Sequence, residues 1–364
     1  MSNLSKKVLF INGRFLTQPI TGVQRYSREI LSTIDKLIDS GKISLPDGLK
    51  IICLIPKQPY FDPNWNNIKI KKIGFLKNNL WEQIDLPIYV NNNILFSPAN
   101  IAPLFSPNQV TTFHDASVYA IPEAYSLLFR VKYRLIFSHV GRKAKKIITD
   151  SDFSKKELNL YCKINQKKFE IIPLGYDHLV HIQPDFSLFE KFSLDEKPYF
   201  LLVGSESRHK NMRLVFQANE LLDNNRFKIV VVGGSFSKIF QKTEKDKSNN
   251  IIEVGYVTDG QLRALYSKAL CFIFPSLYEG FGLPVLESLS FGCPVLCSNA
   301  ASLSEFGEKL VTYFNPTDPI ELSKLMNEQL LKPPTISIDK KILITRYSWE
   351  NSALETWKVL SSII

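Results

Sequence analysis

Residues 274–287 read FPSLYEGFGLPVLE. The short apolar run CFIF that leads into them has the pattern of a strand buried on both faces of a parallel sheet. Gly280 and Gly282 then permit a tight turn and close approach of a ligand to the backbone. Pro284 suits the first turn of a helix, which Gly292 ends. Strand, glycine-rich turn and helix follow in order, with unpaired N–H groups and the helix dipole favouring an anion at the turn. Two carboxylates flank the turn eight residues apart, Glu279 before it and Glu287 one turn into the helix. Carboxylates repel phosphate but accept hydrogen bonds from hydroxyls. A ligand presenting hydroxyls, then phosphates, then hydroxyls is a nucleotide sugar. The same spacing also fits an ordinary strand–loop–helix with two surface glutamates.

Around this segment strands and helices alternate: YFLLVGS, a helix from about Asn211, FKIVVVGG, a polar loop through Asn250, IIEVGYV, the helix DGQLRALYSKA, then CFIFPS. Such repetition predicts a parallel, doubly wound sheet. VVVGGS lacks the spacing of a dinucleotide-binding loop. VGSESRHKNM (203–212) is a second candidate anion site. Gly204 ends a strand, and Arg208 and Lys210 lie in the loop beyond it, where a guanidinium fork and a lysine point charge suit a diphosphate. Two solvated cations would read the same way.

The first half repeats the architecture. KVLFING is a strand, and TGVQRYSREILSTIDKLIDSG is a helix with Val23, Ile30, Leu31, Ile34 and Ile38 on its apolar side and Thr21–Gly22 at its start. LKIICLIP, IKIKKIGF and NILFSPA are further strands. QVTTFHDAS sets His114 and Asp115 at a strand's carboxyl end, where functional groups collect in open α/β sheets. A structural histidine fits there too, and Asp115 is placed to orient the loop or His114. Asp150-Ser151-Asp152 looks superficially like an Asp-x-Asp metal site. It lies between a strand and a helix, however, so Ser or Asp capping accounts for it and no metal site is expected. His178 and His181 have no supporting cluster and read as surface residues.

A helix over 124–147 carries Arg130, Lys132, Arg134, Arg142, Lys143, Lys145 and Lys146 among Leu127, Leu128, Phe129, Leu135, Ile136 and Phe137. It fits an anionic membrane interface, or a core helix with a solvated basic face. No nucleic-acid-binding module accompanies it, so no nucleic acid is expected.

The chain's 364 residues allow two domains. There is no run of 18 apolar residues, and VLFI near the start is too short for a signal peptide's core. Five cysteines without paired spacing fit a reducing cytoplasm. The net charge is +10, and residues 1–180 hold 25 Lys/Arg against 14 Asp/Glu. The basic excess therefore belongs to the first half, which points to an acidic partner there.

EGFGLPVLE resembles the Glu-x7-Glu motif of the family 4 retaining glycosyltransferases. GYVTDGQLRALYSKA, GCPVLCSNAASLSE, ITDSDFSKKEL, IIPLGYD and HDASVYAIPEAY are similar to that family's other segments, across nearly the whole chain. The resemblance implies an α/β GT-B fold, two Rossmann-like doubly wound parallel-sheet domains facing a cleft. Residues 1–178 would form the acceptor domain, 179–196 a linker and 197–345 the donor domain, with a helix over 346–364 packing back on the first.

The resemblance also assigns roles. Glu279 and His114 would contact the transferred sugar and Glu287 the ribose, while Arg208 and Lys210 neutralise the leaving diphosphate. Gly204, Gly280, Phe281, Gly282 and Leu283 would line the donor, and Gly22 would approach the donor phosphates or the acceptor. The chain departs from the pattern at Ser205, where many members have Arg. The implied reaction is retaining and metal-independent, with no cofactor beyond the donor. It moves a sugar, mannose-type by the HD…PE segment, from a GDP- or UDP-linked donor to a saccharide or lipid-linked saccharide acceptor. Its setting would be bacterial-type surface polysaccharide synthesis, in the cytoplasm or on the inner face of the membrane. Two rivals share the residues: a nucleotide-sugar 2-epimerase of the same fold, and a non-catalytic sugar- or membrane-binding protein.

Overall fold

Seven strands of the first half pair only with parallel neighbours, in the order β3-β2-β1-β4-β5-β6-β7. They are β1 (Val8–Asn12), β2 (Lys50–Ile55), β3 (Ile68–Lys72), β4 (Ile94–Ser97), β5 (Gln109–Thr112), β6 (Lys146–Thr149) and β7 (Phe169–Ile171). A computed structural model describes residues 7–234, 249–332, 343 and 345–364. Parallel strands need crossover helices, which cover the faces and leave the central strands dry. Gln109, Val110, Thr111 and Thr112 of β5 are accordingly all buried.

Helix α1 (Gly22–Asp39) buries Tyr26, Ile30, Leu31, Ile34 and Leu37, a single face at helical spacing. Leu37, not Ile38, completes that face. Helices α2 (Leu127–Lys143) and α3 (Asp152–Cys162) flank β6, and Ile136, Phe137, Val140 and Leu158 join one core with Phe113 and Ile147. The C-terminal helix Trp349–Ser361 belongs to this same unit, which comprises Met1–Gly175 and Tyr347–Ile364. Ser348 caps it, Ser352 Oγ donates to the Pro173 carbonyl at 2.5 Å, and a Cβ on Gly175 would lie 2.2 Å from the Trp349 nitrogen.

Tyr176–Arg346 forms the second unit. Its sheet runs β10-β9-β8-β11-β12-β13, again parallel throughout. The strands are β8 (Tyr199–Val203), β9 (Lys228–Val232), β10 (Ile251–Gly255), β11 (Cys271–Phe274), β12 (Val295–Ser298) and β13 (Thr312–Phe314). Helices α4 (Met212–Asn219), α5 (Asp259–Lys268), α6 (Leu283–Ser290) and α7 (Pro319–Leu331) cover it. Phe200, Leu202, Val215, Phe227, Ile229, Leu322 and Met326 fill the core. Most of the polar loop expected before Asn250 lies outside the described residues.

The stretch 179–196, expected as a linker, is part of this second unit. Arg263 Nη1 donates to the Val180 carbonyl at 3.0 Å, and Asp185 N donates to Gly260 O at 3.0 Å. Leu188 and Phe189 of the short helix Ser187–Phe192 are buried. Those bonds hold the segment to α5, and the Phe189 ring meets Tyr199 of β8 edge-on at 6.2 Å. Its irregular sequence concealed them. In each sheet the strand order reverses direction at one point, between β1 and β4 and between β8 and β11. Ligands of open α/β sheets bind outside the carboxyl ends of strands at such points.

Candidate active site

The β8/β11 reversal of the second unit brings together the two loops singled out in the sequence. After β11 the chain enters the glycine turn. Gly282 takes φ +107° at the start of α6, and a Cβ there would sit 2.6 Å from Leu303 Cδ2, so both backbone and space require glycine. Phe281 is buried with its edge on Phe306, ring centres 5.7 Å apart. Ser302 Oγ donates to the Glu279 carbonyl at 2.8 Å, fixing the turn from the far side. No side chain caps the start of α6; Pro284 has no N–H and Val285 N donates to Gly282 O at 3.0 Å, so Leu283 carries the first-turn N–H that can face a ligand.

After β8, Gly204 gives way to the short turn Arg208–Lys210. A Cβ on Gly233 would meet the Gly204 carbonyl oxygen, which shows how closely the chain passes at the ends of β8 and β9. Asn211 follows with φ +52° and donates through Nδ2 to the carbonyls of Pro275 (3.1 Å) and Pro316 (2.8 Å). Leu277 N donates to His209 O at 2.7 Å. These bonds clamp the β8 loop to the β11 loop. Lys210 Nζ accordingly reaches Glu279 Oε1 at 2.6 Å, both side chains largely shielded, and lies 5.6 Å from the Phe274 ring centre. Arg208 is exposed and makes none of the ion pairs among the described residues.

Glu287 points inward from α6 and is 7% exposed. Tyr266 Oη donates to its Oε2 at 3.0 Å, and His178 Nε2 lies 3.0 Å from its Oε1. The His178 imidazole is 1% exposed. The expectation of a surface residue is thus corrected: burial against a carboxylate 109 positions away leaves no local signature. His181 is exposed.

In the first unit, His114 follows β5. Its Nδ1 lies 2.7 Å from Asp150 Oδ2, its backbone N–H donates to Asn100 Oδ1 at 2.8 Å, and its ring meets the Tyr26 ring edge-on at 4.6 Å. His114 Nε2 and Asp150 Oδ1 are buried without hydrogen-bond partners. Burial opposes a charge on His114, but the charge of Asp150 and its hydrogen bond, with Asp115 adding to them, hold the imidazole's pKa above its ordinary 6.5. Asp150, not Asp115, orients the ring. Asp115 Oδ1 instead accepts from Ser117 N at 2.8 Å and shapes the loop. Ser151 caps α3 by accepting from Ser154 N at 3.0 Å, so the Asp-Ser-Asp run divides between a cap and a histidine partner. Gly22 opens α1 with nothing within 4 Å of an added Cβ, so nothing in the protein itself demands glycine there.

Residues 185–341 match the family model of glycosyl transferases group 1. The chain is a glycosyltransferase. This glycosyltransferase is 29% identical, over 93% of its length and 95% of the relative's, to the O-antigen chain mannosyltransferase B of Escherichia coli. It is 23% identical, over 94% and 96%, to the O-antigen chain mannosyltransferase RfbU of Salmonella typhimurium. Among solved structures, sucrose-phosphate synthase from Thermosynechococcus elongatus superposes with a TM-score of 0.74 at 17% identity, covering 98% of this chain and 99% of the other. The glycosyltransferase has the GT-B fold. None of its described helices is long and apolar enough to cross a membrane.

Proposed function

We propose that this glycosyltransferase moves a mannose-type sugar from a nucleoside diphosphate sugar, GDP- or UDP-linked, to a saccharide or lipid-linked saccharide acceptor in surface polysaccharide synthesis. The observation that carries the proposal is the surroundings of the Gly282 turn. Lys210, Glu279, the uncapped start of α6 and Glu287 all belong to one strand-order reversal. The relatives' names, both O-antigen chain mannosyltransferases, support the sugar and the setting.

In this reading Lys210 and the Leu283 N–H at the start of α6 take up charge as the diphosphate departs, with Arg208 adding a cation at the rim. No metal is then needed for leaving-group stabilisation. Glu279 holds the transferred sugar from the acid side of its ion pair with Lys210, and Glu287 holds the ribose. His114 takes the place beside the sugar that the resemblance implies, and the first unit takes the acceptor. Transfer proceeds with retention of anomeric configuration, in line with the family resemblance.

The first unit is further proposed to rest on an anionic lipid surface through α2. Leu127, Leu128, Val131 and Leu135 stand on one helical face at 66%, 85%, 59% and 56% exposure, while the later residues Ile136, Phe137 and Val140 are buried. Arg142 and Lys143 end the helix. The helix is therefore half core element and half exposed apolar ridge, a combination suited to a bilayer interface.

A nucleotide-sugar panel assayed for diphosphate release, with and without lipid-linked saccharide, tests the central reading. Acceptor-dependent release from a mannosyl donor with an α-configured product by NMR is expected. Conversion of a donor without acceptor would instead identify an epimerase.

A further inference from the structure

Glu287 is held by residues that no motif around it includes. Its side chain is 9% exposed, and two donors address its two oxygens, His178 from the segment before β8 and Tyr266 from α5. A carboxylate only accepts, so the His178 nitrogen facing it carries a proton. Burial first, then the charge of Glu287, keep the Tyr266 phenol well above its ordinary range, and it remains a donor. A shielded carboxylate needs such donors. Each oxygen still has lone-pair capacity for one more hydrogen bond. The two donors arrive from separate elements, so the carboxylate plane is fixed before any ligand arrives.

We propose that His178 is a positioning residue for the donor: together with Tyr266 it locks Glu287 so that the carboxylate's remaining lone pairs meet the two vicinal ribose hydroxyls of a nucleoside diphosphate. The inference rests on the reading of Glu287 as the ribose-binding group. Two hydroxyls on adjacent carbons fit a carboxylate edge in one orientation only. A rotating Glu287 would forfeit the second bond and pay the ordering cost at binding.

The test is calorimetric titration of the wild type, His178→Ala, His178→Gln and Glu287→Ala. The probes are GDP or UDP, whichever the wild type binds more tightly, and its 2′,3′-dideoxy analogue. His178→Ala should weaken the parent nucleotide about tenfold, the scale of one lost hydrogen bond to a charged group, and leave the analogue unchanged. His178→Gln, whose amide can still donate, should restore most of the loss. Turnover at saturating donor should fall by less than about threefold, because the affected contact is made in ground and transition state alike. Equal weakening of parent and analogue, or none of either, overturns the inference. If Glu287→Ala leaves the preference for the parent over the analogue intact, the ribose role of Glu287 fails instead. Should His178→Ala not fold, His178→Gln and His178→Asn carry the comparison, the shorter amide losing the ribose preference and the longer one keeping it.

Discussion

At single residues the chemistry is a matter of which partner each charge already has. Glu287→Ala should weaken donor binding by about 1.5–3 kcal/mol, the loss of hydrogen bonds to a charged acceptor, as read by calorimetry. Lys210→Ala removes the cation 2.6 Å from Glu279 and should lower turnover about a hundredfold, the scale of one lost transition-state donor. Steady-state kinetics at saturating donor decide this, and unchanged turnover would remove Lys210 from the chemistry. His114 offers a titration test. Its raised pKa means that the stabilisation from its pairing with Asp150 is present below pH 6.5 and is lost as the pH climbs through the raised value. In Asp150→Asn burial dominates, so NMR should find the imidazole titrating below 6.5 instead of above it.

The loops that carry Glu279 and Lys210, and the helix that carries Glu287, were legible because glycines lie within or just before them, a pattern that local sequence preserves. His178, Tyr266 and Asp150 were not. Their roles depend on contacts across 109, 21 and 36 positions, set by packing, not by spacing.

At the scale of elements, glycine punctuation foretold the strand–turn–helix around 274–290 because only glycine holds φ +107° without strain. Gly282→Ala should therefore cost about 1–3 kcal/mol in backbone strain, plus the push against Leu303, and lower the denaturation midpoint. The alternation of β-rich and helical runs made both sheets readable. The segment 179–196 takes its order from hydrogen bonds to α5, which no periodicity announces. Helix α2 packs into the core toward its end and leaves an exposed apolar ridge toward its start, the part proposed to meet lipid. Leu128→Ser with Val131→Ser should reduce binding to phosphatidylglycerol vesicles at least about tenfold, since two apolar side chains leave the interface. Donor hydrolysis in solution should be unaffected. Equal binding by the double variant would dismiss the ridge as a lipid contact.

For the molecule as a whole, charge and chain path matter most. The basic excess of residues 1–180 lies in the unit that carries the ridge, so vesicle binding should weaken as salt rises. Removing Tyr347–Ile364 should leave amide protection in the second sheet and lower it in the first, because Tyr26 would lose Trp349, 6.3 Å away, and Pro173 would lose Ser352. Hydrogen exchange reads this directly.

That path has a consequence for how the protein comes to be made. The whole second unit is, in effect, an insertion between Gly175 and Tyr347 of the first. During synthesis the inserted lobe can close while the first unit is still waiting for its final helix, with Tyr26 of α1 lacking its Trp349 neighbour throughout. Mutations that slow the inserted lobe should then appear as aggregation of the other one.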